Sequence, residues 1–189
     1  MPVNCRVLSV LALLALTACS SAPPSKPLPT LPPAPVSSVR QAGAALASAS
    51  GSLVSGRIVL LPMPQGVRLT GTVGGLRAGG SFGFHVHERG DCSAVDASSA
   101  GAHFNPTASA HGRNGGGPHH LGDMDNLVAD AEGVVHLDFV LGGVALGTGA
   151  GNDILGRALI VHADPDDYRS QPSGNAGARL ACGVIRASR

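Results

Sequence analysis

The sequence predicts an all-β domain, an eight-stranded antiparallel barrel or sandwich with two long loops. Three observations carry that prediction. Short runs of β-branched and aliphatic residues recur between turn residues. One run, "VRLTGTV" (67–73), alternates strictly, with Val67, Leu69, Gly71 and Val73 on one face and Arg68, Thr70 and Thr72 on the other. No window carries the apolar period of an amphipathic helix; "GAALASAS" is short and built of small residues.

Taken in order, the expected strands span residues 44–49, 53–61, 67–73, 81–88, 126–129, 134–141, 157–163 and 178–186. "VVHLDFVL" and "RALIVHA" supply the β-branched and aliphatic content that strands favour. "DAEG" (130–133) reads as a hairpin turn. Two segments break the pattern, 93–125 and 164–177. Long loops without regular structure are uncommon in a small domain and are usually functional. The first holds four of the eight histidines. Its "GRNGGGP" resembles a phosphate loop only on the surface, since no Gly-Lys-Ser/Thr and no helix follow. Such glycines let a backbone turn sharply, so that separated ligands can converge.

The ends of the chain read differently. Arg6 precedes the apolar run "VLSVLALLAL" (7–16), which has the length of a signal peptide. Leu16-Thr17-Ala18-Cys19 resembles a bacterial lipobox, so residues 1–18 are expected to be removed and Cys19 lipidated. Ser20 rather than aspartate follows, which favours an outer-membrane anchor in the cell envelope, facing the periplasm. Residues 19–40 are a Pro-rich tether, and 41–189 form one domain. The formal net charge of +1 gives no electrostatic footprint for nucleic acid. Of four cysteines, Cys5 leaves with the signal and Cys19 takes lipid, which leaves Cys92 and Cys182 to form a disulfide in an exported compartment.

"GFHVHERGDC" (83–92) places His85 and His87 on one face of a strand and Phe84 and Val86 on the other. Paired imidazoles are costly to bury unless a cation lies between them. His103, His111, His120, Asp123 and His162 complete a set of seven candidate ligands. Four imidazoles suit copper(II); three imidazoles and a carboxylate suit tetrahedral zinc. Seven side chains fill both sites only if one histidine is shared. His136, alternating within "VVHLDF", is assigned no role.

"GFHVHERGDC", "AGAHFNP", "HHLGDMDN", "ALIVHADPDDY" and "GNAGARLACGVI" resemble, in order and over about residues 53–185, the motifs of the bacterial copper/zinc superoxide dismutases. The resemblance implies a Greek-key barrel, with His85, His87, His103 and His162 on copper. It puts His103 in the bridging place, with His111, His120 and Asp123 completing the zinc site. His120 is preferred to His119 because its spacing to Asp123 matches the family. Asp166, with Asp167 as its rival, takes the place of an aspartate that orients one copper and one zinc ligand, here matched to His87 and His111. Arg179, three residues before Cys182, would draw superoxide, a small anion, to the copper. The implied reaction is dismutation to oxygen and hydrogen peroxide, with His103 also handing on a proton. The resemblance is compatible with a homodimer as well as a monomer. The loop at 164–177 has Arg169 and no lysine, unlike the animal enzymes, so auxiliary steering charge is sparse. A metal store would use the same ligands without Arg179, and a structural envelope lipoprotein would need only the N-terminal signals.

Overall fold

The computed structural model describes residues 36–188. The signal peptide, Cys19 and most of the tether lie outside them. Ten strands form among the described residues: β1 Ala42–Ser48, β2 Ser55–Met63, β3 Gly66–Gly74, β4 Ser81–Phe82, β5 Phe84–His87, β6 Leu127–Val128, β7 Val135–Gly142, β8 Ala158–His162, β9 Arg179–Val184 and β10 Arg186–Ala187. All eight expected strands are present, and no α-helix occurs among these residues. The fold also begins earlier than Gln41, because Ser38 N donates to Gly147 O at 2.7 Å.

Two expected strands are each divided. The run 81–88 breaks at Gly83, whose N donates to Asp164 O at 2.8 Å and whose O accepts from His162 N at 2.8 Å. A side chain at Gly83 would meet Ala176 Cβ at 2.9 Å, so the loop at 164–177 can dock there only on a glycine. On one side of that break β4 pairs with β6; on the other β5 pairs with β8. The run 178–186 divides at Ile185, and β9 and β10 pair with opposite ends of β1. "DAEG" does make a turn, with Asp130 Oδ1 accepting from Glu132 N and Val134 N. It is not a hairpin: β6 pairs with β4, and β7 with β3.

The main antiparallel sheet runs β5-β8-β9-β1-β2-β3-β7, with β10 beside β1. It curls into a Greek-key barrel, because β3 and β7 are neighbours while the chain between them crosses over to build β5. One face of each strand fills the interior. Ile58 and Leu60 of β2, Val67, Leu69 and Val73 of β3, and Leu137 and Leu141 of β7 meet Phe84 and Val86 of β5 and Leu159 and Val161 of β8. Each such side chain contributes about 1.5–3 kcal/mol by leaving water.

The alternation that buries Phe84 and Val86 puts His85 and His87 on the outer face. The outer face of β8 and β9 carries a second, smaller apolar cluster. There Ala158, Ile160 and Cys182 pack against Ala97 and Ala100, with Cys92 alongside. The Cys92–Cys182 disulfide holds the 92–101 segment on this face. It joins positions 90 residues apart. Replacing both cysteines by serine should therefore lower the unfolding free energy by up to ~4–5 kcal/mol, read as a lower urea midpoint under non-reducing conditions.

Candidate metal centre

β5 is the edge of the main sheet, and its free edge is where the site is built. The long loop after β5 returns and pairs with it. Phe104 N donates to Val86 O at 2.8 Å, and Val86 N donates to Gly122 O at 2.9 Å. Gly122 N in turn donates to Phe104 O at 2.9 Å. Gly122 must lack a side chain here, since a Cβ would lie 2.3 Å from Val86 O. This short ladder sets His103 opposite His87 and Asp123 opposite His85. His162, the last residue of β8, lies beside the pair on the same face.

Two buried ligand groups result. One is His85, His87, His103 and His162; the other is His103, His111, His120 and Asp123. Within each group the nearest donor atoms lie within 4.8 Å of one another. The structure thus brings together all seven side chains expected to bind metal, and His103 belongs to both groups. His119 is half-buried, with Nδ1 against Gly117 O, and His136 is exposed on β7.

The hydrogen bonds assign the free nitrogens. His87 Nδ1 donates to Gly101 O at 2.9 Å and His162 Nδ1 to Gly177 O at 3.3 Å, so both rings turn Nε2 inward. Those two Nε2 atoms are 3.3 Å apart. His85 Nε2 donates to Asp166 Oδ2 at 2.8 Å and His111 Nε2 to Asp166 Oδ1 at 3.0 Å, leaving each Nδ1 free. Asp166 therefore pairs with His85 and His111. The expected partner His87 is instead held by a main-chain carbonyl, because β5 points its two imidazoles toward different loops.

Among the described residues, four buried side-chain nitrogens have no hydrogen-bond partner: His85 Nδ1, His103 Nε2, His111 Nδ1 and His120 Nδ1. Such atoms are costly unless something occupies their lone pairs. Around Asp123, Oδ1 lies 2.9 Å from His103 Nδ1 and 3.3 Å from His120 Nδ1, and Oδ2 lies 3.1 Å from His111 Nδ1. A tetrahedral ion with bonds of about 2.0 Å has donor–donor edges of roughly 3.3 Å. The donor sets therefore fit copper in the all-imidazole group and zinc in the group holding the carboxylate.

With this geometry in place, comparison with known proteins identifies the chain. The model of the family "Copper/zinc superoxide dismutase (SODC)" matches residues 54–185. The chain belongs to the copper/zinc superoxide dismutase family. It is 41% identical over 150 residues to "Superoxide dismutase [Cu-Zn] 2" of Aquifex aeolicus (strain VF5), a match covering 77% of this chain and 86% of that one. It is 40% identical over 135 residues to "Superoxide dismutase [Cu-Zn] 1" of the same organism, covering 69% and 79%. Among solved structures, a SOD-like protein from Bacillus subtilis aligns with a TM-score of 0.68 at 37% identity, over 75% of this chain and 95% of that one. The clock protein EA4 aligns with a TM-score of 0.72 at 35% identity, over 81% and 98%. As a copper/zinc superoxide dismutase, the protein is an oxidoreductase that uses both metals.

Beside the all-imidazole group an open pocket of about 540 Å³ is lined by His87, His103, His162 and Arg179, with Pro172, Ser173 and Gly177 among its other walls. Arg179 Nη1 donates to Ala97 O at 2.6 Å and Nη2 to Gly101 O at 2.7 Å. Both anchors are neutral carbonyls, so they fix the guanidinium without cancelling its charge. Gly101 O also accepts from His87, so one carbonyl orients both an imidazole of the all-histidine group and the arginine.

Several contributors escaped sequence reasoning. Asn126 clamps the main chain of Asp166, with Asp166 N donating to Oδ1 at 2.8 Å and Nδ2 donating to Asp166 O at 2.9 Å. Tyr168 Oη accepts from Asn126 N. Gly101 and Gln171 likewise act through contacts that no local pattern announces.

In the metal-free protein, burial lowers His85 to about 4 and His162 to about 3, and takes His87 well below its ordinary value. His111 behaves oppositely: burial pulls it down, but Asp123 and Asp166 together raise it to about 9. For Asp123 and Asp166, burial pushes upward, and hydrogen bonds from the neighbouring histidines and main chain hold both below the usual carboxylate range. The His85 and His162 contributions to stability are complete above pH 6.5 and are lost as pH falls toward 4 and below. That of His111 is complete below 6.5 and is lost as pH rises through about 9. The thermal midpoint of metal-free protein should thus fall on both sides of pH 6.5. Zinc should abolish the alkaline decline, because a metal on Nδ1 replaces the proton there.

Proposed function

We propose that the chain dismutates superoxide in the cell envelope, with His103 as an imidazolate shared by copper and zinc. The carrying observation is that His103 alone belongs to both buried ligand groups, beside a pocket that holds Arg179. Copper, when bound, supplies the electron transfer that converts one superoxide to oxygen and a second, with two protons, to hydrogen peroxide; zinc has no redox chemistry.

The chain's own residues have separable tasks. Arg179 draws the anion into the pocket and orients it through N–H groups not used on Ala97 and Gly101. His103 Nε2, buried without a partner, would hold a proton and pass it to the reduced product. Asp166 keeps His85 and His111 in the tautomers that present Nδ1. The barrel wall excludes water from the other side of β5, where Phe84 and Val86 are buried.

Export and lipidation at Cys19 are part of this reading. The lipobox-like "LTAC" supports them, as does the Cys92–Cys182 bridge, which suits an oxidising compartment. The anchor would tie the enzyme to the outer membrane through residues 19–35.

Metal analysis of the purified chain combined with a superoxide-consumption assay tests the proposal. One copper and one zinc with rapid consumption is the expected result; a fully metallated preparation inert toward superoxide would overturn it. Arg179→Ala should retain both metals but slow turnover by about tenfold or more and flatten its dependence on salt. Unchanged rates at low ionic strength would remove Arg179 from this role.

A further inference from the structure

His111 sits in a stretch with no regular structure and makes no backbone–backbone hydrogen bond among the described residues. Its main chain is held instead by one distant side chain. Gln171 Oε1 accepts from His111 N at 2.8 Å, and Gln171 Nε2 donates to His111 O at 3.0 Å. The carboxamide thus satisfies both main-chain groups of one residue, as a neighbouring strand would.

The same loop also reaches the ring. Asp166 Oδ1 accepts from His111 Nε2 at 3.0 Å. Gly174, with φ +67°, leaves the room this needs. A Cβ there would lie 1.8 Å from Asp166 Oδ1 and 2.7 Å from His111 Nε2. Directly after Gln171, Pro172 and Ser173 line the pocket that holds Arg179. The segment that grips His111 is therefore also a wall of the anion pocket.

We propose that Gln171 is a positioning residue for zinc retention: its two hydrogen bonds hold the His111 main chain so that Nδ1 stays within the ligand group. A chelated ion escapes when one ligand swings away, and His111 has no ladder of its own to resist that motion. This inference rests on reading His103, His111, His120 and Asp123 as the zinc ligands.

The test is the rate of zinc release from the metal-loaded full chain to excess chelator. Gln171→Ala should release zinc about tenfold faster than the parent, the lower end of what lost outer-shell contacts cost. Gln171→Met keeps the length of the side chain but neither hydrogen bond, and should release zinc as fast as Gln171→Ala. Copper absorption should be unchanged in both, and the melting temperature should fall in the zinc-loaded protein more than in the metal-free one. Release at the parental rate would overturn the inference. So would a methionine variant that retains zinc like the parent, which would assign the effect to packing. An equal fall in melting temperature with and without metal would overturn it too, as general destabilisation. Should Gln171→Ala not fold, the methionine variant decides alone. A parent chain that takes up no zinc would instead defeat the underlying reading of the ligands, a distinct result.

Discussion

Four imidazole nitrogens, on His85, His103, His111 and His120, are buried without a hydrogen-bond partner. An unpaired buried polar atom costs about 1–3 kcal/mol, so metal-free protein carries a concentrated liability at one place. Each of these atoms belongs to one of the two ligand groups, so two cations would relieve the whole set. The surrounding hydrogen bonds make sense only with that relief in view. Gly101, Gly177 and Asp166 take up the opposite nitrogens of His87, His162, His85 and His111, so that one nitrogen of each ring is committed and the other is presented.

The barrel makes this arrangement tolerable by separating two kinds of burial. Inside, Phe84, Val86, Leu159 and Val161 belong to an apolar interior. Outside, on the opposite face of the same strands, the loops at 93–125 and 164–177 cover the imidazoles. They are fastened by means that suit loops. The first pairs its backbone with the free edge of β5, and the disulfide pins its beginning. The second uses side-chain amides: Asn126 grips the main chain of Asp166, and Gln171 grips that of His111. Ligands are thereby held without extending the sheet, and a pocket stays open beside Arg179.

The division of the run 81–88 shows where reading along the chain stops. Residues 81–88 look like one strand, because alternation has no means of registering a change of partner. Gly83 donates one backbone hydrogen bond to Asp164 and accepts another from His162, both on one distant segment, and the ladder switches from β6 to β8 across it. The partner of Asp166 is a similar case. The family resemblance places the aspartate near the ligands, but the choice of His85 over His87 depends on which loop each ring faces.

Residue composition, period-two alternation and the lack of a helical period determined that the domain is all-β, and alternation alone that His85 and His87 share a face away from Phe84 and Val86, since side-chain direction in a strand is a local property. Composition likewise left two cysteines to bridge, and residue chemistry named seven ligands for two metals. Only the tertiary structure decided that Asp166 pairs with His85, that Gly101 O orients a ligand together with Arg179, and that Gln171 stands in for a missing strand beside His111. Each of those depends on contacts between segments tens of residues apart, and no local pattern in the chain encodes their distance or direction.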